Sequence, residues 1–165
     1  MQHTLTSERL ILRPFVPQDA DAIVAALNDA ETCRGLTVVP YPYTKQDADQ
    51  FISEGTAQAS AVCLKDGQLI GCIGLGAQLG YWFAKPHWGK GYATEAALAV
   101  LADHFAHSDT DVMSGYVDDN FASAAVLRKL GFVVVGNTML HIRSRGIAVP
   151  AKSVCLTRTH WEALS

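Results

Sequence analysis

The sequence predicts a mixed α/β domain built on a mostly antiparallel sheet, and three observations carry that expectation. Residues 61–64 and 69–74 flank Lys65-Asp66-Gly67-Gln68, so two short apolar runs are joined by a turn that favours a hairpin. A further extended run, 80–84, is aromatic and passes through Pro86 and a loop with Gly89 and Gly91 into an almost wholly apolar helix reaching His107. The 165 residues, taken as one domain over 1–165, are 49% hydrophobic and 18% charged, a balance sufficient to bury a core.

The elements follow in order. In Arg9-Leu-Ile-Leu-Arg13, Leu10 and Leu12 face one side of an extended segment and Arg9, Ile11 and Arg13 the other, and Pro14 ends the strand. Pro17, Asp19 and Asp21 suit the first turn of a helix running to about Asn28, with Ala22, Ile23, Ala26 and Leu27 as its apolar stripe. Residues 37–43, an aromatic stretch punctuated by Pro40 and Pro42, cannot be helical. Thr44 caps the next helix, whose buried side is Ala48, Phe51 and Ile52. After the hairpin, a tight turn over 74–78 leads into Tyr81-Trp82-Phe83, so these strands form a meander. Residues 111–117 read as a strand, 121–130 as a helix closed by Gly131, and 132–143 as a long strand. A last strand at 154–156 and a short helix at 159–164 complete the chain.

Several classes of function are disfavoured. A formal charge of −3 gives no electrostatic reason to bind nucleic acid or an anionic membrane. The opening Met-Gln-His-Thr-Leu has no basic region or apolar core, and no run reaches bilayer length, so a cytoplasmic protein is expected. Cys33, Cys63, Cys72 and Cys155 are scattered, which suits buried apolar fillers in a reducing compartment rather than a metal or redox motif.

The glycine loop is the strongest chemical signal. Glycines at 89 and 91 let backbone approach a ligand, and the helix that follows offers unpaired N–H groups at its positive end, so a phosphate is expected there. A Walker loop is rejected, because Lys90 lies between the glycines and Gly91 follows it where a hydroxyl residue is needed. A dinucleotide fingerprint ranks behind: Thr94 stands at the third glycine, although Asp111 falls at the spacing of a ribose-binding acid. The third reading rests on resemblance. Trp88-Gly89-Lys90-Gly91-Tyr92-Ala93 resembles the acyl-coenzyme A signature Gln/Arg-x-x-Gly-x-Gly/Ala of the GNAT superfamily of N-acetyltransferases, with Trp88 replacing Gln or Arg. Asn120 to Ser123 followed by Lys129-Leu-Gly131-Phe132 is similar to a second element of that family. Glu8-Arg9-Leu-Ile-Leu-Arg13-Pro14-Phe15 looks like the opening strand of its ribosomal-protein N-terminal acetyltransferase branch.

The resemblance implies the GNAT fold: a twisted, mostly antiparallel mixed sheet of about seven strands with helices on both faces, splayed to admit acetyl-CoA. It implies an acetyl-CoA-dependent N-acetyltransferase acting on a primary amine, a small molecule or a peptide N-terminus, as monomer or homodimer. Alternatives are a small-molecule amine or antibiotic acetyltransferase and a non-catalytic coenzyme A binding module. The cofactor would meet Tyr81, Trp82 and Phe83 on the strand, and Trp88, Gly89, Lys90, Gly91, Tyr92, Ala93 and Thr94 in the loop, with His87 beside it. Asn120 would hold the pantetheine arm and Ser123 would serve the departing sulfur; both residue types are also ordinary on a helix.

No general base stands out. Asp118 is the first candidate, with Asp119, His141 and Glu95 behind it, although acids near helix starts have ordinary structural uses. Tyr41 and Tyr43 would wall the acceptor site or serve as surface packing. His141, Arg143 and Arg145, at period two, would share one strand face and grip an anionic acceptor or simply be solvated.

Overall fold

The computed structural model describes residues 3–54 and 56–164; Met1 and Gln2, at the start of the stretch read above for a basic region and apolar core, lie outside the described residues, as do Gly55 and Ser165. Among the described residues, eight strands form two sheets. The first has the order β1-β2-β3-β4-β5, from β1 (Leu5–Thr6), β2 (Leu10–Arg13), β3 (Ala59–Leu64), β4 (Leu69–Leu75) and β5 (Leu79–Phe83). The second has the order β6-β8-β7, from β6 (Val112–Val117), β7 (Val133–Ile142) and β8 (Ile147–Leu156). Every ladder among the described residues is antiparallel. The expected sheet is thus two sheets meeting at the edges of β5 and β6, where the buried Ser114 hydroxyl donates to the Leu79 carbonyl at 2.8 Å.

The pleat of the first sheet sorts its side chains between two helical layers. Leu10, Leu12, Val62 and Ile70 face α4 (Tyr92–His107), which contributes Ala96, Ala97, Val100, Leu101 and Phe105 to one core. Ala61, Cys63, Cys72 and Trp82 face α1 (Ala20–Leu27) and α3 (Lys45–Glu54) in the other. Helices therefore lie on both faces. The cysteines are free, and burial pushes the Cys33 thiol up to about 11 and Cys72 up to about 12, so neither is a nucleophile near neutrality.

The first helix begins with a 3-10 turn at Pro17–Asp19, and its buried stripe is Ala20, Ile23, Ala26 and Leu27. Ala22 is exposed, because only residues near the 3.6 period through Ile23 reach the sheet. Thr44 caps α3 as expected: its Oγ accepts the Asp47 N–H at 3.2 Å, and the Asp47 carboxylate accepts the Thr44 N–H at 2.8 Å. The four-residue α2 (Ala30–Cys33) and two-residue β1 were not foreseen, since neither is long enough to show a period. The N-terminus of α2 is fixed by Asp29, which accepts the Thr32 N–H at 2.8 Å.

The last strand is longer than 154–156 suggests. β8 runs ten residues and pairs along β7 from Val133↔Cys155 to Ile142↔Ile147. Pro150 hides this in the sequence, but residues 147–150 pair with β7 alone, and the Pro150 carbonyl accepts the Asp118 N–H at 2.9 Å. β7 stops at Ile142, and Arg143, Arg145 and Gly146 (φ +63°) lie in the hairpin turn, so His141, Arg143 and Arg145 do not share a strand face. Helices α5 (Phe121–Lys129) and α6 (Arg158–Leu164) complete the fold; Trp161 of α6 stacks on Phe105 with ring centres 5.5 Å apart.

Candidate active site

The glycine loop is shaped by three local features. Ala84 is extended, Lys85–His87 form a 3-10 turn, and the Trp88 indole N–H donates to the Phe83 carbonyl at 2.6 Å, tying the loop to the end of β5. Gly89 and Gly91 sit at φ +71° and +81°, where a Cβ is strained. Gly91 is also the N-cap of α4 and supplies no capping side chain, so the N–H groups of the first turn have no intrahelical partner. No atom lies within 4 Å of where a Cβ on Gly89 would stand. Open space, unpaired N–H groups and a helix dipole together suit a phosphate.

A cleft of about 710 Å³ begins at this loop and runs between the two sheets. Gly80, Tyr81, Trp82 and Phe83 of β5 form one wall, although the Trp82 ring turns into the core beneath α1 and α3. Gly115 and Tyr116 of β6, with Asn120 and Ser123 of α5, form the other. β5 and β6 are each the edge of a sheet, so the splay leaves main-chain groups for an extended ligand arm. Along the third side lies the segment from Glu31 to Thr37.

Asn120 organises the start of α5. Its Oδ1 accepts the Ser123 N–H at 3.0 Å, and its Nδ2 lies 3.3 Å from where a Cβ on Gly35 would stand. Ser123 in turn places its Oγ 3.1 Å from the Tyr81 hydroxyl. Burial raises the Tyr81 pKa and the Ser123 hydrogen bond offsets only part of this, so Tyr81 is a neutral phenol near pH 7.

The carboxylates divide between those on the cleft and those turned away. Glu31 and Asp119 line it, and both are paired: Glu31 with Lys85 at 2.8 Å, Asp119 with Arg34. These pairs tie α2 and the residue after it to both rims of the splay. Asp118 does not line the cleft and lies 3.8 Å from Lys152. Glu95 does not line the cleft but sits in the adjoining depression with Arg9, where burial would raise its pKa but hydrogen bonds from Ser7 and Arg9 outweigh that and hold it below the usual carboxylate range. His87 lines the cleft with Nδ1 buried and unpartnered. Burial and then the Lys90 charge lower its pKa, so the ring is neutral at pH 7.

Not every residue expected at the site is there. Among the expected cofactor contacts, Tyr81, Trp82, Phe83, Trp88, Gly89, Gly91, Tyr92, Ala93, Thr94, Asn120 and Ser123 border the cleft, whereas the Lys90 side chain is exposed outside it. Tyr43 is in the core under α1 and α3, its backbone carbonyl accepting from the Asn28 side-chain amide and its N–H donating to the Asn28 Oδ1, and burial pushes its hydroxyl up to about 12. It cannot wall an acceptor site. Tyr41 is exposed away from the cleft lining, as is His141, and Arg143 is spent on the loop, donating to the Thr37 and Val38 carbonyls. Arg34, Glu31, Gln78 and Lys129 line the cleft without having been foreseen. Arg34 and Asp119 are 85 positions apart, and no local pattern joins them.

A glycine-loop helix start facing a splay between two sheets, with a serine–tyrosine pair inside, is an arrangement that suits a transferase whose cofactor carries a phosphate and an extended arm. A family model described as an acetyltransferase (GNAT) domain matches residues 9–133, and the chain belongs to that family. It is an N-acetyltransferase. Over 159 residues it is 28% identical to a protein from Bacillus licheniformis named "Uncharacterized N-acetyltransferase p20", covering 87% of this chain and 89% of that one. The crystal structure of a GNAT-family acetyltransferase from Bacillus anthracis superposes with a TM-score of 0.84 at 21% identity, covering 95% of this chain and 99% of that one. RimL, described as a ribosomal L7/L12 alpha-N-protein acetyltransferase in complex with coenzyme A, superposes with a TM-score of 0.80 at 17% identity over 94% and 98% of the two chains. At these identities the two structures share the fold with this chain.

Proposed function

We propose that this chain transfers the acetyl group of acetyl-CoA directly to a primary amine, and that the preferred acceptor is a peptide or protein N-terminal α-amine. Acetyl-CoA supplies the activated acyl group as a thioester. The loop N–H groups from Gly89 to Thr94 would hold its pyrophosphate, and β5 with Asn120 its pantetheine arm. Ser123 would hydrogen-bond the departing sulfur, oriented by Tyr81.

The observation that carries the choice of acceptor is the pairing of both carboxylates on the cleft with cations. Neither Glu31 nor Asp119 is an unpaired base, and His87 sits in the turn that leads into the glycine loop. An α-amine, with a pKa of about 7.7–8.0, is substantially neutral without help, whereas a lysine at about 10.4 is not. RimL, which shares the fold, is by its description an alpha-N-protein acetyltransferase.

A thiol-release assay with acetyl-CoA and matched acceptors tests this reading. A peptide with a free N-terminus and no lysine should turn over faster near pH 7 than the same peptide blocked at its N-terminus and carrying one lysine, and its rate should rise with pH as the α-amine deprotonates. Faster use of the lysine peptide, or of small amines alone, overturns the acceptor assignment. Cofactor binding without thiol release from any amine identifies a coenzyme A binding module.

A further inference from the structure

The opening block Glu8-Arg9-Leu10 places one side chain where the core has no use for it. Leu10 and Leu12 are fully buried, but Arg9 reaches out of the sheet to the start of α4. Its Nε and Nη2 each lie 2.7 Å from Glu95 Oε2, its Nη1 donates to the Lys90 carbonyl at 3.0 Å, and its guanidinium lies 4.6 Å from the centre of the Tyr92 ring. Glu95 also accepts the Arg9 backbone N–H at 2.8 Å and the Ser7 hydroxyl at 2.7 Å. One side chain thus contacts the loop between its two glycines, the first helical residue and the acid one turn on.

Glu95 is poorly placed for an anion-binding helix. It lies four residues beyond Gly91, about 6 Å along the axis, where a carboxylate opposes a bound phosphate and cancels part of the dipole's attraction. The Arg9–Lys90 contact matters in a second way. A trans peptide is planar, so holding the Lys90 carbonyl toward Arg9 aims the Gly91 N–H the opposite way.

We infer that Arg9 is a positioning residue for the phosphate loop: it neutralises Glu95 beside the anion site and, through the Lys90 carbonyl, fixes the direction of the Gly91 N–H. This rests on the reading that the loop takes the pyrophosphate of coenzyme A. Gly91 and Thr94 border both the main cleft and a shallower depression walled by Arg9 and Glu95, so direct contact of Arg9 with the ligand is the competing role that the test must separate.

Coenzyme A titration by calorimetry, on folded protein verified by thermal melts, decides between them. Arg9→Met should weaken binding about tenfold, more at low salt than at high, because it leaves the Glu95 charge unopposed. Glu95→Gln alone should bind at least as tightly as the unsubstituted chain, and Arg9→Met combined with Glu95→Gln should recover most of the loss. Arg9→Lys, which keeps the charge and loses the fork, should fall between. The loss should be the same with dephospho-coenzyme A, and in turnover it should appear in KM for acetyl-CoA more than in kcat. A folded Arg9→Met variant that binds normally overturns the inference. So does a loss that persists undiminished in the Glu95→Gln background or vanishes with dephospho-coenzyme A, since Arg9 would then act on the ligand itself. Failure of the unsubstituted chain to bind coenzyme A overturns the acetyl-CoA reading and this inference with it.

Discussion

The Tyr81 hydroxyl and the Ser123 Oγ lie 3.1 Å apart, joining β5 of the first sheet to α5, which follows the leading strand of the second. The pair spans the splay in which the ligand arm is proposed to lie. Because burial keeps the phenol neutral, Tyr81 can orient Ser123 but cannot take its proton near pH 7. In the proposed reaction Ser123 would then hydrogen-bond the departing sulfur. A free thiol titrates at about 8.5, so its thiolate is already a fair leaving group and needs modest assistance.

Ser123→Ala should therefore lower kcat by no more than about 10²-fold, the low end of the range for general acid catalysis, with cofactor affinity little changed. Tyr81→Phe should have a smaller effect of the same kind. Steady-state kinetics on both variants check this; a folded Ser123→Ala variant with intact turnover would send the proton to water.

Much of this site could be read from the chain because its parts are local. The glycine loop, the Asn120 cap and Ser123 lie within short segments whose spacing fixes their geometry, and the hairpin and α4 follow from period and turn chemistry alone. What escaped the sequence depends on distance or on a masking residue. Arg34–Asp119, Glu31–Lys85 and Tyr81–Ser123 join segments brought together only by the closed fold. Tyr43 reads as a loop aromatic, yet Asn28 pins its backbone and turns the ring into the core. The first half of β8 was hidden by Pro150, which a strand position unpaired on one side tolerates.

Gly91 is a sharp test of the anion loop. At φ +81° any Cβ costs roughly 1–2 kcal/mol, and a β-branched one more. Gly91→Val should be less stable by at least that amount, and because the strain distorts the N–H groups it should weaken acetyl-CoA binding by about tenfold or more. Calorimetry on the folded variant measures it, and unchanged affinity would remove the loop from the binding site.

Stability toward acid should depend on Asp19. Its carboxylate accepts from both terminal nitrogens of Arg13 at 2.8 Å and from the Val16 N–H at 2.9 Å, at the turn that launches α1. Burial alone would raise its pKa, but these donors outweigh it and the net shift is downward. A lowered folded pKa means the contribution is fully present above the unfolded value of about 3.9 and is lost as pH falls through the folded one. Asp19→Asn should thus cost about 1.5–3 kcal/mol at pH 7, the range for hydrogen bonds to charged groups, and progressively less toward pH 2. Urea melts at both pH values give the comparison; a pH-independent difference would mean the loss is one of packing rather than charge.

Asn120 caps α5, and its proposed second function, holding the pantetheine arm, is separated from the first by different substitutions. Its Oδ1 caps α5 through the Ser123 N–H, and its Nδ2, on the cleft side near Gly35, is the donor available to a ligand arm. Asn120→Ala removes both, so it should lower stability by about 0.5–2 kcal/mol as a lost cap and also weaken coenzyme A binding by the roughly 0.5–1.5 kcal/mol of one net hydrogen bond. Asn120→Asp keeps a capping oxygen, and its charge suits a helix N-terminus, so stability should be retained. It has no amide N–H, so affinity should fall as far as in the alanine variant. Thermal melts and coenzyme A titrations on the two variants settle the division. If Asn120→Asp binds coenzyme A normally, the residue serves the helix alone and the pantetheine arm takes its hydrogen bonds from the β5 backbone.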